Sequence, residues 1–232
     1  MSGDEPAIEG REEDRPALDV ACFDPLGRFA ALVSTTGNHC QVWRSTRKRM
    51  DGDGDESRHV EYVIKYPTER LTMGEARILF RQYRMLRKAL GDIVPRALFV
   101  VSEIDGRENL LVLAQAVNVW FNIANPLNRE EAIGLLREHP LAWAQLKTFV
   151  SAAQAWREGD NPRVIDLFGL DNLVMDNQRQ IRYVDSFYVF FFEDMLHMLG
   201  GEPDDELEEK IATSLRRLAY LQEILAFSDP EG

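Results

Sequence analysis

The hydrophobic period of this chain changes near its midpoint, and that change most constrains what it can fold into. Up to about residue 116 apolar residues come in short runs or alternate with polar ones, as half-buried strands require; beyond it they recur mostly at helical spacing. Arg28–Ser34 and Cys40–Arg44 flank Thr35-Thr-Gly-Asn-His39, a strand–turn–strand pattern. Residues 47–57 alternate basic and acidic clusters around Gly52 and Gly54 and read as an exposed hairpin loop. Val60-Glu-Tyr-Val-Ile-Lys65 is a third strand, closed by Pro67. Leu79, Tyr83, Leu86 and Leu90 then share one face of a helix over 73–90, which Gly91 stops. Arg96–Ser102 and Leu110–Gln115 complete the strands, with Asp105-Gly106 as their turn.

The second half reads as helices interrupted by a short β-like insert at 173–185. Asn128 with Glu131 predicts a capping box at one helix start, and Pro140 opens another helix through Leu146, Phe149, Val150 and Ala153. A last helix from about 204 to 227 carries Leu207, Ile211, Leu215, Leu218 and Leu225 as its apolar stripe. The expected fold class is α+β in two lobes: five antiparallel strands with one helix, then a reduced, mostly helical lobe, with a cleft between them. The expected divisions are an acidic, disordered tail at 1–16, an N-terminal lobe at 17–116 and a C-terminal lobe at 117–232.

With 232 residues, 45% of them hydrophobic, the chain has the composition of a globular protein. No apolar run approaches the roughly 20 residues of a membrane-spanning helix, so no membrane association is expected. The net charge of −12 sits mainly at the ends: residues 1–16 hold six acids against two bases, and residues 202–232 hold nine against three. The near-neutral body lacks the basic footprint of a nucleic-acid binder. Two cysteines, Cys22 and Cys40, and an acidic N-terminus without a leader pattern predict a reducing, cytoplasmic setting.

The residues that carry chemistry lie in Val164-Ile-Asp-Leu-Phe-Gly-Leu-Asp-Asn-Leu-Val-Met-Asp176 and Ile181-Arg-Tyr-Val-Asp185. Asp166 and Asn172 bracket a tight loop, and two short strands joined by Asp176–Gln180 bring Asn172 and Asp185 to one hairpin edge. An amide oxygen and a carboxylate converging in this way are hard donors suited to Mg²⁺. Asp166 beside them is placed to accept a proton from an attacking hydroxyl.

In this order of residues the chain resembles the protein-kinase-like superfamily over about residues 28–200. The separation of 13 from Asn172 to Asp185 matches the family, Val63-Ile-Lys65 resembles its Val-Ala-Ile-Lys strand, and Leu110–Gln115 resembles the strand entering its hinge. Thr35–Val42 lies where the glycine-rich loop belongs and keeps Gly37 of its three glycines. Val164 replaces the family's His, and Asp166 lies six residues before Asn172, one more than usual, which leaves Asp171 as the alternative acid. Asp185 is followed by Ser186-Phe187, as in small-molecule and atypical kinases, and no Ala-Pro-Glu element follows. The resemblance implies ATP and Mg²⁺ as cofactors. Lys65 would hold the α/β-phosphates with Glu75 as its partner, and Gly37 and Gln115 would contact the nucleotide. Asn172 and Asp185 would ligate Mg²⁺, and Asp166 would act on an acceptor, a small molecule or a protein. The alternative it carries is a pseudokinase, a nucleotide-binding or interaction scaffold. Separately, Arg77, Arg81, Arg84 and Lys88 form a basic helical stripe, with a solvated face and an acidic partner as its two readings.

Overall fold

A computed structural model describes residues 17–19, 29–34, 40–48, 59–69, 71–104, 107–185, 187–192 and 205–229. It is a mixed α+β structure with antiparallel sheets, divided into two compact units: residues 1–70 with 100–114, and residues 71–99 with 115–232. No described helix is long and apolar enough to cross a membrane.

The first unit is built on a sheet of β1 (Ala17–Asp19), β2 (Phe29–Ser34), β3 (Cys40–Lys48), β4 (His59–Pro67), β5 (Ala97–Ile104) and β6 (Arg107–Gln115), in the order β1-β2-β3-β4-β6-β5. This is one strand more than the five expected. β1 is only Ala-Leu-Asp, too short to show an alternation, and pairing with β2 defines it. β3 and β4 pair antiparallel without a break from Cys40↔Pro67 to Lys48↔His59, so both run further towards the connecting segment than their apolar patterns suggested. The remaining residues of the expected hairpin loop, 49–57, lie outside the described residues, as does the strand-connecting Thr35–His39.

Alternation along a strand sends successive side chains to opposite faces. On one face Ile64 packs with Trp43 and Leu111, flanked by Tyr62, Tyr66, Val100 and Leu113. Lys65, one residue on, belongs to the other face, where it is buried opposite Val42.

The second unit holds the larger core. α1 (Met73–Leu90) buries Ala76, Leu79, Tyr83, Leu86 and Leu90 at steps of three and four. Gly91 ends it with φ 57°, a left-handed value that glycine adopts without a Cβ penalty. By its packing α1 belongs with this unit. Tyr83 and Leu86 join a core with Leu136, Leu146, Phe149, Tyr183 and Leu221.

α2 (Arg129–Glu138), α3 (Pro140–Glu158) and α4 (Asp205–Phe227) contribute to that core alongside α1 and the short strands. Arg129 pairs with Glu223 at 2.8 Å, Arg137 donates to the Phe227 carbonyl at 2.7 Å, and the Trp143 indole donates to the Leu225 carbonyl at 3.4 Å. These contacts tie α4 to α2 and α3. The expected capping box at Asn128 does not form. The Asn128 amide donates to the Asn122 carbonyl instead, because the 3-10 turn Pro126–Asn128 draws it there, with Asn125 as that turn's cap. A capping box forms at Thr72 and Glu75, where the Thr72 hydroxyl accepts the Glu75 N–H at 3.2 Å and Glu75 Oε2 accepts the Thr72 N–H at 2.7 Å.

Replacing Leu146, fully buried at 0% exposure, by Ala is expected to lower unfolding free energy by about 2–5 kcal/mol. The matched change Leu127→Ala, at 92% exposure, is expected to stay within about 0.5 kcal/mol. Urea denaturation of both variants checks this; equal losses would remove the assignment of the core.

Candidate functional site

The short strands of the second unit fix the loop that carries the acids. β8 (Val164–Ile165) pairs antiparallel with β11 (Phe190–Phe191), and the Asp166 N–H donates to the Val189 carbonyl at 2.9 Å. Asp166 therefore stands at a strand end, with Ile165 and Leu167 buried on either side. β9 (Leu173–Asp176) and β10 (Ile181–Tyr183) form a hairpin, with β7 (Val119–Phe121) on the other edge of β9. Asp176 closes the hairpin turn: its Oδ1 accepts the N–H groups of Gln178 and Gln180 at 2.8 and 3.0 Å. Arg179 takes φ 60° in that turn.

Between β8 and β9, residues 166–172 fold back on themselves. Asp166 Oδ1 accepts the Phe168 N–H at 2.7 Å, a local turn of the kind Asp side chains favour. The Asn172 N–H donates to the Gly169 carbonyl at 3.2 Å, and the Asn172 side-chain amide donates to the Asp166 carbonyl at 3.3 Å. These two turns close the loop between Asp166 and Asn172. Gly169 comes close to Asn172: a Cβ there would lie 2.6 Å from Asn172 Oδ1 and would force that side chain to shift.

α4 holds the loop from its other side. Ser214, buried at a core position of the helix, accepts the Leu167 N–H at 3.1 Å, while Arg217 donates to the carbonyls of Leu167 and Phe168. The buried Tyr183 hydroxyl donates to the Asp166 carbonyl at 3.1 Å. Past the hairpin, the Val184 N–H donates to the Asn172 carbonyl at 2.9 Å, and Asp185 Oδ1 accepts the Phe187 N–H at 3.3 Å.

The structure thus brings together Asp166, Asn172 and Asp185, three of the residues expected from sequence. Their electrostatics register the proximity. Burial first, then the negative charge of Asp185, push the Asp166 carboxyl up to about 7, against the lowering effects of the Phe168 N–H, the Lys210 cation and the Asn172 side chain. The Tyr183 hydroxyl is raised well above its ordinary value by burial and by the charges of Asp185 and Asp166. Of the two candidate acids, Asp166 is the one coupled to Asp185. Asp171 is exposed and accepts the Asn122 side-chain amide at 3.0 Å.

The other expected residues stand elsewhere. Lys65 is buried in β4 of the first unit. Glu75 is exposed at the start of α1, and its carboxylate takes both the Thr72 N–H and hydroxyl at 2.7 Å, which lowers its pKa. Gln115 ends β6, and its N–H donates to the Arg96 carbonyl at 2.8 Å. Gly37 lies outside the described residues. Arg77, Arg81, Arg84 and Lys88 are exposed on α1, and the Arg84 guanidinium lies 5.9 Å from the centre of the Phe80 ring. Ser214, Tyr183, Arg217 and Lys210 complete the surroundings of the acids and were not anticipated. Ser214 had a signal, a polar residue interrupting the apolar spacing from Ile211 to Leu218.

Among the described residues, no group of three or more His, Cys, Asp or Glu is disposed to hold a metal. The oxygen donors at Asn172 and Asp185 suit the narrower demand of Mg²⁺, which takes one or two protein carboxylates and leaves other positions to water and phosphate. A dication there would also offset the repulsion between Asp166 and Asp185. No protein-family model matches this chain, and comparison with curated proteins finds no relative.

Two predictions follow from the acid pair and its loop. Because Asp166 titrates near 7 in the folded state and near 4 unfolded, the folded protein holds the extra proton between those values. Stability should therefore fall as pH rises from about 4 to 7 and level off above, and Asp166→Asn should stabilise more at pH 8 than at pH 4. Chemical denaturation across this range checks it, and a pH-independent difference between the two proteins contradicts it. Gly169→Ala should displace the Asn172 side chain and raise the Asp166 pKa further, read by carbon NMR titration; an unshifted Asp166 signal would contradict that geometry.

Proposed function

We propose that this chain is a kinase-like phosphotransferase of two-lobed organisation, moving the γ-phosphate of ATP to an acceptor hydroxyl. The observation that carries the reading is the gathering of Asp166, Asn172 and Asp185 by one loop and one hairpin, in the chain order the superfamily uses. The sheet-built first unit and the largely helical second unit agree with it.

In this mechanism Asn172 and Asp185 would hold Mg²⁺, which would supply positive charge against the phosphates. The resemblance assigns Lys65, buried in β4, to the α/β-phosphates. Asp166, fixed by the Phe168 N–H and beside Asp185, orients the acceptor hydroxyl and takes its proton. Tyr183, Ser214 and Arg217 hold the backbone on which Asp166 rides, so they are positioning residues. Such catalysis depends mainly on placement and electrostatic balance.

A second reading, a pseudokinase that binds nucleotide without turnover, is favoured by Glu75. Its carboxylate is engaged by the Thr72 donors at the helix start, as a capping residue. ATP consumption in the presence of acceptor panels separates the two readings. Under the first, Asp166→Asn should lower turnover by roughly 10²–10⁴-fold while leaving nucleotide binding in place. Under the second, wild type shows binding alone. Thermal shift with millimolar ATP and Mg²⁺ tests what both share: stabilisation is expected in wild type and should be lost in Asp185→Ala. No stabilisation of wild type would overturn both.

A further inference from the structure

Within the second unit lies a cavity of about 370 Å³ whose wall includes Arg87, Asp92, Arg96, Gln115, Gln180 and Arg182. Three guanidiniums around one space are not a by-product of basic composition, since the chain carries −12 overall. Two of them are fixed by the protein itself. Arg87 Nη1 donates to the Gly91 and Val94 carbonyls at 2.7 and 2.5 Å, spanning the turn after α1. Arg182 pairs through Nε with Asp176 Oδ2 at 2.8 Å, donates through Nη2 to Gln180 Oε1 at 2.7 Å, and donates through Nη1 to the Asp92 carbonyl.

The charge does not cancel within this wall. Arg182 is matched by Asp176, and Arg87 by the largely exposed Asp92 at a long 3.4 Å. Arg96 remains. It is exposed, and no other described residue pairs with its guanidinium. A fixed set of amide and guanidinium donors with one unbalanced cation is the arrangement that binds an oxyanion. A phosphate group offers three oxygens to donors arriving from several directions, which a carboxylate's two do not. The volume lies at the low end for small-molecule sites, about 300–1,000 Å³, and Val94 and Pro95 add apolar surface.

We propose that this cavity binds a small phosphate-bearing anion, free phosphate or a compact phosphomonoester, with Arg96 as its charged contact and Arg87 and Arg182 as prefixed donors. None of Asp166, Asn172 and Asp185 lines this cavity, and the proposal does not depend on the phosphotransferase reading. Gln115, expected at the nucleotide, belongs to the wall of this cavity.

Isothermal titration of the full chain, without nucleotide or Mg²⁺, tests it with inorganic phosphate and with glycerol 3-phosphate, each against sodium chloride of equal ionic strength. Saturable binding of at least one probe is expected. Tighter glycerol 3-phosphate binding identifies a phosphomonoester as the ligand class, and equal or tighter phosphate binding identifies the free ion. Arg96→Gln should weaken binding at least tenfold, and Arg96→Lys, which keeps the charge without the fork, should fall between that variant and wild type. Arg77→Gln, the same charge change on the exposed face of α1, should bind as wild type does. Absence of saturable binding by wild type overturns the proposal, as does Arg96→Gln binding like wild type or Arg77→Gln losing as much as Arg96→Gln.

Discussion

A carboxyl group set among apolar side chains is tolerable only where partners meet both it and the backbone around it, and the loop of residues 166–172 satisfies that demand from several elements at once. Asp166 satisfies Phe168 locally, Tyr183 and the Asn172 side chain satisfy the Asp166 carbonyl, and Ser214 and Arg217 take up the polar groups of Leu167 and Phe168. With those partners in place, Leu167 and Leu173 are fully buried while the acids remain beside one another. The site and the core of the second unit are thus the same packing problem, solved once.

Periodicity made most of the large elements legible. Leu79, Tyr83, Leu86 and Leu90 identified α1 because its buried face follows a three- and four-residue step without interruption, and Pro140 marked the start of α3 because its ring suits a first helical turn. The 173–185 insert was readable as a hairpin because Asp176 and the residues after it are turn formers between two apolar runs. β1 was not readable, since three residues carry no period and only a partner strand makes them one.

Local polar chemistry was the harder part. Thr72 and Glu75 hold the same spacing as Asn128 and Glu131, yet one pair caps its helix and the other does not. The difference lies in neighbours: the 3-10 turn before α2 gives Asn128 another acceptor, the Asn122 carbonyl. The acids of the site were visible as an ordered set, but Ser214 and Arg217 reach them from about fifty positions away. Nothing local to 166–172 could specify that, because such partners are chosen by how α4 packs.

That distance has a bearing on how the molecule is made. Synthesis delivers residues 166–185 well before Ser214 and Arg217, and α4 is anchored to α2 and α3 by Glu223, Leu225 and Phe227, which emerge later still. A nascent polypeptide halted short of α4 has every acid of the site but lacks the hydroxyl and guanidinium that seat their loop. The candidate active centre is therefore seated only once α4 has left the ribosome and docked.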